Sequence, residues 1–316
     1  MRALVTGGAG HIGSTLVDRL VERGDQVVVL DDFSSGREEN LAAALGRGAE
    51  LVRGDVAEPP DVKAAAEQAR PDVVFHLAAH AHIAYSLENP THDLRINVAG
   101  TVNALEAARV AGAHFVFAAS CAEYGDPAAK DVVLPLTEDA PLRPISPYGQ
   151  SKLAAEGYVD LYRILHGVTS SSLRFGNVYG PRQTPLGEAG VVSIFCQRLL
   201  EGGKPTVFGT GEQTRDYTYV EDVVDAVIAA ADRRFDGAAN IGTELETTVL
   251  ELVAELGRIG GRDDFTPQMA EGHAGDIPRM SLNSARAEAE LGWKWRTKLA
   301  DGLEETVSGW RTRLDG

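Results

Sequence analysis

The chain has 316 residues, 44% of them hydrophobic, and a formal net charge of -16. That length holds one large α/β unit or two coupled domains with a full core, and the acidic balance excludes a general affinity for nucleic acid or anionic membrane. No apolar run reaches the length of a membrane span, the first strand follows Met1 directly with no room for a leader, and Cys121 and Cys196 form neither a disulfide framework nor a metal-ligand spacing, so a cytoplasmic protein without a metal is expected.

The first element carries the sharpest signal. Ala3, Leu4 and Val5 make a short apolar run, Gly7, Gly10 and Gly13 recur every third residue, and Ile12, Leu16, Val17, Leu20 and Val21 keep helical spacing. A strand, a glycine turn and a helix N-terminus in that order describe a dinucleotide site. The glycines let the backbone turn sharply and approach a pyrophosphate, and the helix N-terminus favours its charge. Further strands are expected at 26–30, 50–53, 72–76, 114–119 and 169–174, with helices between them that include 12–23, 92–111 and 147–167.

This alternation predicts a Rossmann-type doubly wound parallel sheet. Past Gly176 the rhythm loosens and Gly and Pro become dense, which predicts a smaller, discontinuous α/β substrate domain. A helix near 221–232 is expected to rejoin the first domain. The boundaries read 1–175 with about 212–240 for dinucleotide binding, and 176–211 with 241–316 for the substrate.

Asp31 and Asp32 end the second strand, where a carboxylate accepts hydrogen bonds from an adenine ribose and repels a 2′-phosphate. The expected cofactor is therefore NAD, with Arg37 as the counter-signal. Asp55 and Val56 follow the third strand, where a loop covers the adenine. Tyr148 and Lys152 lie four apart and share one face of the helix at 147–167. An ammonium near a phenol lowers its pKa, which makes Tyr148 a usable base. Ser120 ends the apolar strand 115–119, at the carboxyl edge where such sheets bind ligands.

Taken together, several segments resemble the extended short-chain dehydrogenase/reductase family, and within it the NAD-dependent nucleotide-sugar epimerases of the UDP-glucose (UDP-galactose) 4-epimerase type. They are Thr6–Gly13, His76–Ala79, Asn97–Thr101, Ser120 with Tyr124-Gly125, Tyr148–Lys152, Arg174–Arg182, Arg215–Tyr217, Gly275-Asp276 and Leu291–Trp293. The resemblance implies that Gly7, Gly10, His11, Ile12 and Gly13 hold the pyrophosphate, Asp31 and Asp32 the ribose, and Asp55 and Val56 the adenine. It implies that Leu77, Ala78, Ala79, Asn97 and Phe175 line the cofactor cleft, and that Ser120, Tyr148 and Lys152 are catalytic, with Lys152 also on the nicotinamide ribose. For a UDP-sugar substrate it implies Asn177 and Arg215 at the diphosphate, Phe208 at the uracil, Asp276 at the ribose, and Cys121, Val191 and His273 along the pocket. It also implies a homodimer through the helices at 92–111 and 147–167.

The chain departs from the family pattern at four places. His11 stands where an aromatic is usual, Gly176 replaces a side chain beside the nicotinamide and is expected to enlarge the sugar pocket, His273 replaces a diphosphate-clamping Arg, and Met280 falls near the residue that gates sugar size. Rival readings divert the same first oxidation. In a dehydratase, Cys121 and Glu123 form a nonstandard elimination pair. In a hexuronate decarboxylase a cation, with Arg182 the candidate, binds the carboxylate. A non-catalytic NAD-binding sensor is the remaining alternative. His80 and His82 follow Ala79 and receive no role.

Overall fold

The computed structural model describes residues 1–128, 132–184, 190–272 and 277–315. Six strands form where the apolar runs place them: β1 Arg2–Thr6, β2 Gln26–Asp31, β3 Glu50–Arg53, β4 Val73–His76, β5 His114–Ser120 and β6 Ser170–Phe175. The short strands β7 Asn177–Tyr179, β8 Thr206–Phe208, β9 Thr214–Arg215, β10 Tyr217–Tyr219, β12 Thr247–Thr248 and β13 Gln268–Ala270 pair off in twos. The seventh strand of the main sheet, β11 Gly237–Ile241, was not expected from the sequence, because its Gly-Ala-Ala-Asn-Ile has little strand propensity. It is made by parallel pairing with β6.

The main sheet runs β11-β6-β5-β4-β1-β2-β3 with every neighbour parallel. The order reverses between β1 and β4, which opens a crevice at their carboxyl ends, where such sheets bind ligands. Both faces are covered, so the central strands are apolar throughout rather than alternating. The described helices are α1 His11–Glu22, α2 Ala42–Gly46, α3 Pro59–Ala69, α4 Ile83–Glu88, α5 Pro90–Leu94, α6 Gly100–Ala111, α7 Pro147–His166, α8 Val191–Leu200, α9 Val220–Arg233, α10 Val249–Gly260 and α11 Leu299–Asp315. On one face Leu16, Leu20, Val223 and Val227 of α1 and α9 pack on the sheet. On the other, Val62, Leu105, Ala155 and Val159 of α3, α6 and α7 do so.

The single helix expected at 92–111 is instead α5 and α6 joined by a wide π-turn at Arg95–Ala99. Asn97 sits in that turn. A third core, with Phe195, Leu252, Leu256, Leu303 and Trp310, lies among α8, α10 and α11.

Candidate active site

The glycine turn is shaped for backbone contact. Gly7 has φ +69°, and a Cβ there would stand 2.6 Å from Ala78 N; a Cβ on Gly13 would stand 2.1 Å from Gly7 O. No side chain caps the N-terminus of α1, so its first N–H groups face the crevice. A tight, uncapped, positively polarised turn at the switch point fits a dinucleotide pyrophosphate.

Asp31 is buried at the end of β2 and accepts from the N–H groups of Ala9 (2.8 Å) and Phe33 (2.8 Å). Its carboxylate thus braces the glycine turn, and burial raises its pKa. Asp32 is exposed and closes a turn on Ser34. Arg37 N–H donates to Ala9 O, and Asn40 Nδ2 donates to the same carbonyl, so the loop after β2 wraps over the turn. Asp55 accepts from Arg95 at 2.8 Å, and Val56 is buried beside Gly100.

Across the crevice, the loop Leu77-Ala78-Ala79 is held from two sides. Leu77 N–H donates to Thr6 O, and Asn97 Oδ1 accepts from His80 N at 2.8 Å. Asn97 Nδ2 lies within reach of His80 O, Asp93 Oδ1 and Ser151 Oγ, tying this loop to α7. The His80 ring lies tilted against Tyr85 with centroids 4.5 Å apart and approaches Asp93 at 3.9 Å, and the His82 ring lies tilted beside it.

The His11 ring packs beside Gly180. Its Nε2 is buried without a hydrogen-bond partner, 3.3 Å from the Cβ position of Gly180. Burial, then Arg182 and Arg313, push its pKa down to about 3, so the ring is neutral.

The sheet brings Ser120, Tyr148 and Lys152 to one place. Ser120 ends β5 in register with Phe175 of β6, and Ser146 caps α7 by accepting from Gly149 N, so Tyr148 lies in its first turn. Burial raises the Tyr148 phenol above its ordinary value, against a hydrogen bond with Ser120; Cys121, Glu123 and Asp93 push it up further. Lys152 is buried and donates to Ala118 O at 2.7 Å, with its ammonium 4.7 Å from the Phe117 ring centre. Burial lowers Lys152 to about 8, against Glu123 and Asp93. The ammonium thus donates to a backbone carbonyl, and without the cationic nicotinamide ring that was also expected to lower it, the Tyr148 phenol stands above its ordinary value.

Beneath Ser120 lies a network that sequence reading did not assign. Arg174 Nε donates to Glu156 Oε2 at 3.1 Å, and Nη1 donates to Tyr124 OH and Glu138 O; Tyr124 OH donates to Asn240. The signals were an Arg inside a fully buried strand and a Glu four residues after Lys152 on an apolar helix face.

Several expectations are changed by packing. Gly176 does not open the sugar pocket, because a Cβ there would meet Asp216 O at 2.8 Å; the glycine admits β10 against β7. Met280 is buried with Tyr124, Leu136 and Leu282, and Cys121 packs on the same cluster. Burial pushes the Cys121 thiol up to about 12, which makes it a poor proton acceptor. Glu123 is fully buried, with Oε1 on the Ser120 N–H and Oε2 toward Arg174. Arg182 donates to Asp18 of α1 at 2.7 Å rather than standing by a sugar.

Of the other substrate candidates, Asn177 begins β7, Val191 begins α8, and Phe208 ends β8 with 41% of its surface exposed. Arg215 donates to Thr214 O and Ile277 O, and its charge acts on Cys121 beside Ser120. His273 and Asp276 lie outside the described residues.

A family model described as the NAD dependent epimerase/dehydratase family matches residues 3–242. The chain is 44% identical over 318 residues to a UDP-glucose 4-epimerase of Mycolicibacterium smegmatis, covering 99% of each. It superposes on the UDP-glucose 4-epimerase of Thermotoga maritima solved with UDP-glucose, with a TM-score of 0.94, 39% identity and coverage of 99% of this chain and 100% of that one. It also superposes on the Thermus thermophilus UDP-glucose 4-epimerase solved with NAD, with a TM-score of 0.90, 38% identity and coverage of 98% and 99%. A doubly wound sheet with a glycine cradle and a Ser-Tyr-Lys set at its carboxyl edge fits an NAD-dependent enzyme of the epimerase type. The chain belongs to the NAD-dependent epimerase/dehydratase family.

Proposed function

We propose that this chain is an NAD-dependent nucleotide-sugar 4-epimerase that inverts C4 of a UDP-hexose through a transient 4-keto sugar. The observation that carries the reading is the convergence of Ser120, Tyr148 and Lys152 beside the glycine cradle. The likeness to UDP-glucose 4-epimerases over nearly the whole chain supports it.

When bound, NAD would supply a reversible hydride acceptor for C4 and a cationic ring that would lower the Tyr148 phenol. Gly7, Gly10, Ile12 and Gly13 hold its pyrophosphate and Asp31 its adenine ribose, with Asp55 and Val56 at the adenine. Leu77, Ala78, Ala79, Asn97 and Phe175 wall the nicotinamide half, and Lys152 holds the nicotinamide ribose. Tyr148 Oη removes the 4-hydroxyl proton and later restores it, while Ser120 Oγ positions that hydroxyl. Arg215 and Asn177 take the substrate diphosphate and Phe208 stacks on the uracil; His273 and Asp276 complete that half. In this division, 1–175 with about 212–240 carries the cofactor, and 176–211 with 241–316 carries the nucleotide sugar.

The elimination and decarboxylation readings lose support from the positions of Cys121, Glu123 and Arg182. The sensor reading loses it from the intact Tyr-Lys pair. We further propose a homodimer through α6 and α7, since Tyr158, Leu161, Ile164 and Leu165 leave an apolar face on α7 exposed. Among the described residues no helix is long and apolar enough to cross a membrane, and both cysteines are free; a cytoplasmic enzyme accords with this.

The test is product analysis with purified protein and a panel of UDP-hexoses, UDP-N-acetylhexosamines and UDP-hexuronates, reading mass and C4 stereochemistry together. Inversion at unchanged mass is expected. Loss of water or of CO₂ would overturn the reading. Tyr148→Phe should lower kcat by ~100-fold or more, in the range typical for loss of a general base.

A further inference from the structure

Ser120-Cys121-Ala122-Glu123 is a capping box at the point where β5 ends. The Ser120 N–H donates to Glu123 Oε1 at 2.9 Å, and the Ala122 N–H donates to Ser120 Oγ at 3.2 Å. Two hydrogen bonds thus fix the residue that must meet the substrate hydroxyl, and Glu123 supplies one of them. The other edge of the same carboxyl faces the buried Arg174, whose Nε stands 3.8 Å from Oε2. Arg174 is already committed, because its fork closes on Glu156. All three side chains are nearly excluded from water. One guanidinium cannot neutralise two buried carboxylates, and the unpaired charge would be costly. The carboxyl that lacks the fork is Glu123.

Two of the other groups that face it point the same way, since its charge raises Tyr148 and Cys121, while Lys152 is a cation that opposes them. An ionised Glu123 would raise Tyr148 further and oppose the deprotonation that the reaction needs. Burial first, then Glu156, holds Glu123 well above the ordinary carboxylate range, while Arg174 and the Ser120 N–H draw it back.

We propose that Glu123 is a positioning residue: a neutral carboxylic acid that accepts from the Ser120 backbone and so holds Ser120 beside the Arg174–Glu156 pair without placing a negative charge beside Tyr148. This rests on the epimerase reading above. It assigns Glu123 a role opposite to that of an elimination acid or base, since the group must keep its proton rather than exchange it.

The test compares wild type, Glu123→Ala and Glu123→Gln by kcat, KM, bound NAD and the pH profile of kcat between about pH 6 and 9. Wild type is assayed first, and its failure to invert C4 would overturn the epimerase reading itself. Given active wild type, Glu123→Ala should lower kcat by ~10-fold or more, with KM and bound NAD changed less than ~3-fold. Glu123→Gln keeps one acceptor and one donor, so it should restore kcat to within ~2-fold and give a profile that overlays wild type. Wild-type kcat in Glu123→Ala, or a Glu123→Gln as slow as Glu123→Ala, would overturn the proposal. If Glu123→Ala does not fold, the Glu123→Gln profile decides alone. Overlay supports a neutral Glu123, and a basic limb moved to lower pH shows that a charge was removed and refutes it.

Discussion

At the scale of single residues, the site is governed by what burial does to charge. Tyr148, Lys152 and Glu123 are each displaced toward the neutral form, and in each the largest cause is desolvation. The Tyr-Lys spacing was legible in the sequence, whereas the capping box at Ser120–Glu123 emerged only from the structure. What the spacing could not convey is that the Lys152 ammonium is spent on Ala118 O. Glycine positions are equally sharp. A Cβ on Gly13 has no room against Gly7 O, so Gly13→Ala must push the turn outward. The expected outcome is protein that folds but loses its retained NAD. The absorbance or fluorescence of the bound cofactor after desalting checks it, and full retention would refute the cradle. Gly176 shows the converse. Its absent side chain looked like pocket volume in the sequence but is filled by the backbone of Asp216.

At the scale of elements, helix α7 does two jobs. One face buries Lys152, Ala155, Glu156 and Val159 on the sheet, and the other leaves Tyr158, Leu161, Ile164 and Leu165 to water. A buried partner face is the economical explanation for such a stripe. Leu161→Asp with Leu165→Asp should give a monomer by sedimentation or light scattering while leaving the sheet intact by circular dichroism. A double variant that sediments with wild type would remove the dimer face from α7. Periodicity located α7 to within a residue or two because Ser146, Pro147 and Gly167 mark its ends chemically. It merged α5, the π-turn and α6 into one helix, because a one-residue widening hardly disturbs a helical pattern. The turn matters since it seats Asn97 between His80, Asp93 and Ser151. Strand β11 escaped notice for the opposite reason: it has almost no pattern of its own, and its partner β6 makes it a strand.

At the scale of the whole molecule, the sheet carries neutral imidazoles at its centre. Burial pushes His76 down to about 3 and His114 to about 4, from an ordinary 6.5. The unfolded chain binds those protons near 6.5 and the folded one does not. Stability from these groups is therefore intact at neutral pH and is lost as pH falls below about 6.5. His114→Gln should flatten the pH slope of the unfolding free energy between about 6.5 and 4 by up to one proton, about 1.4 kcal/mol per pH unit. Denaturant titrations at several pH values measure it, and an unchanged slope would refute a neutral buried His114.

The order of elements, the glycine turn, the acid at the end of β2 and the identities of Ser120, Tyr148 and Lys152 followed from the sequence by itself. They are local features, written in spacing, propensity and the chemistry of short segments. Tertiary structure alone decided which charges meet. Arg174 reaches Glu156 across 18 residues and Arg182 reaches Asp18 across 164, and the first pairing leaves Glu123 without a counter-charge of its own. Such pairings depend on which faces the folded sheet and helices turn toward one another, which no local spacing records.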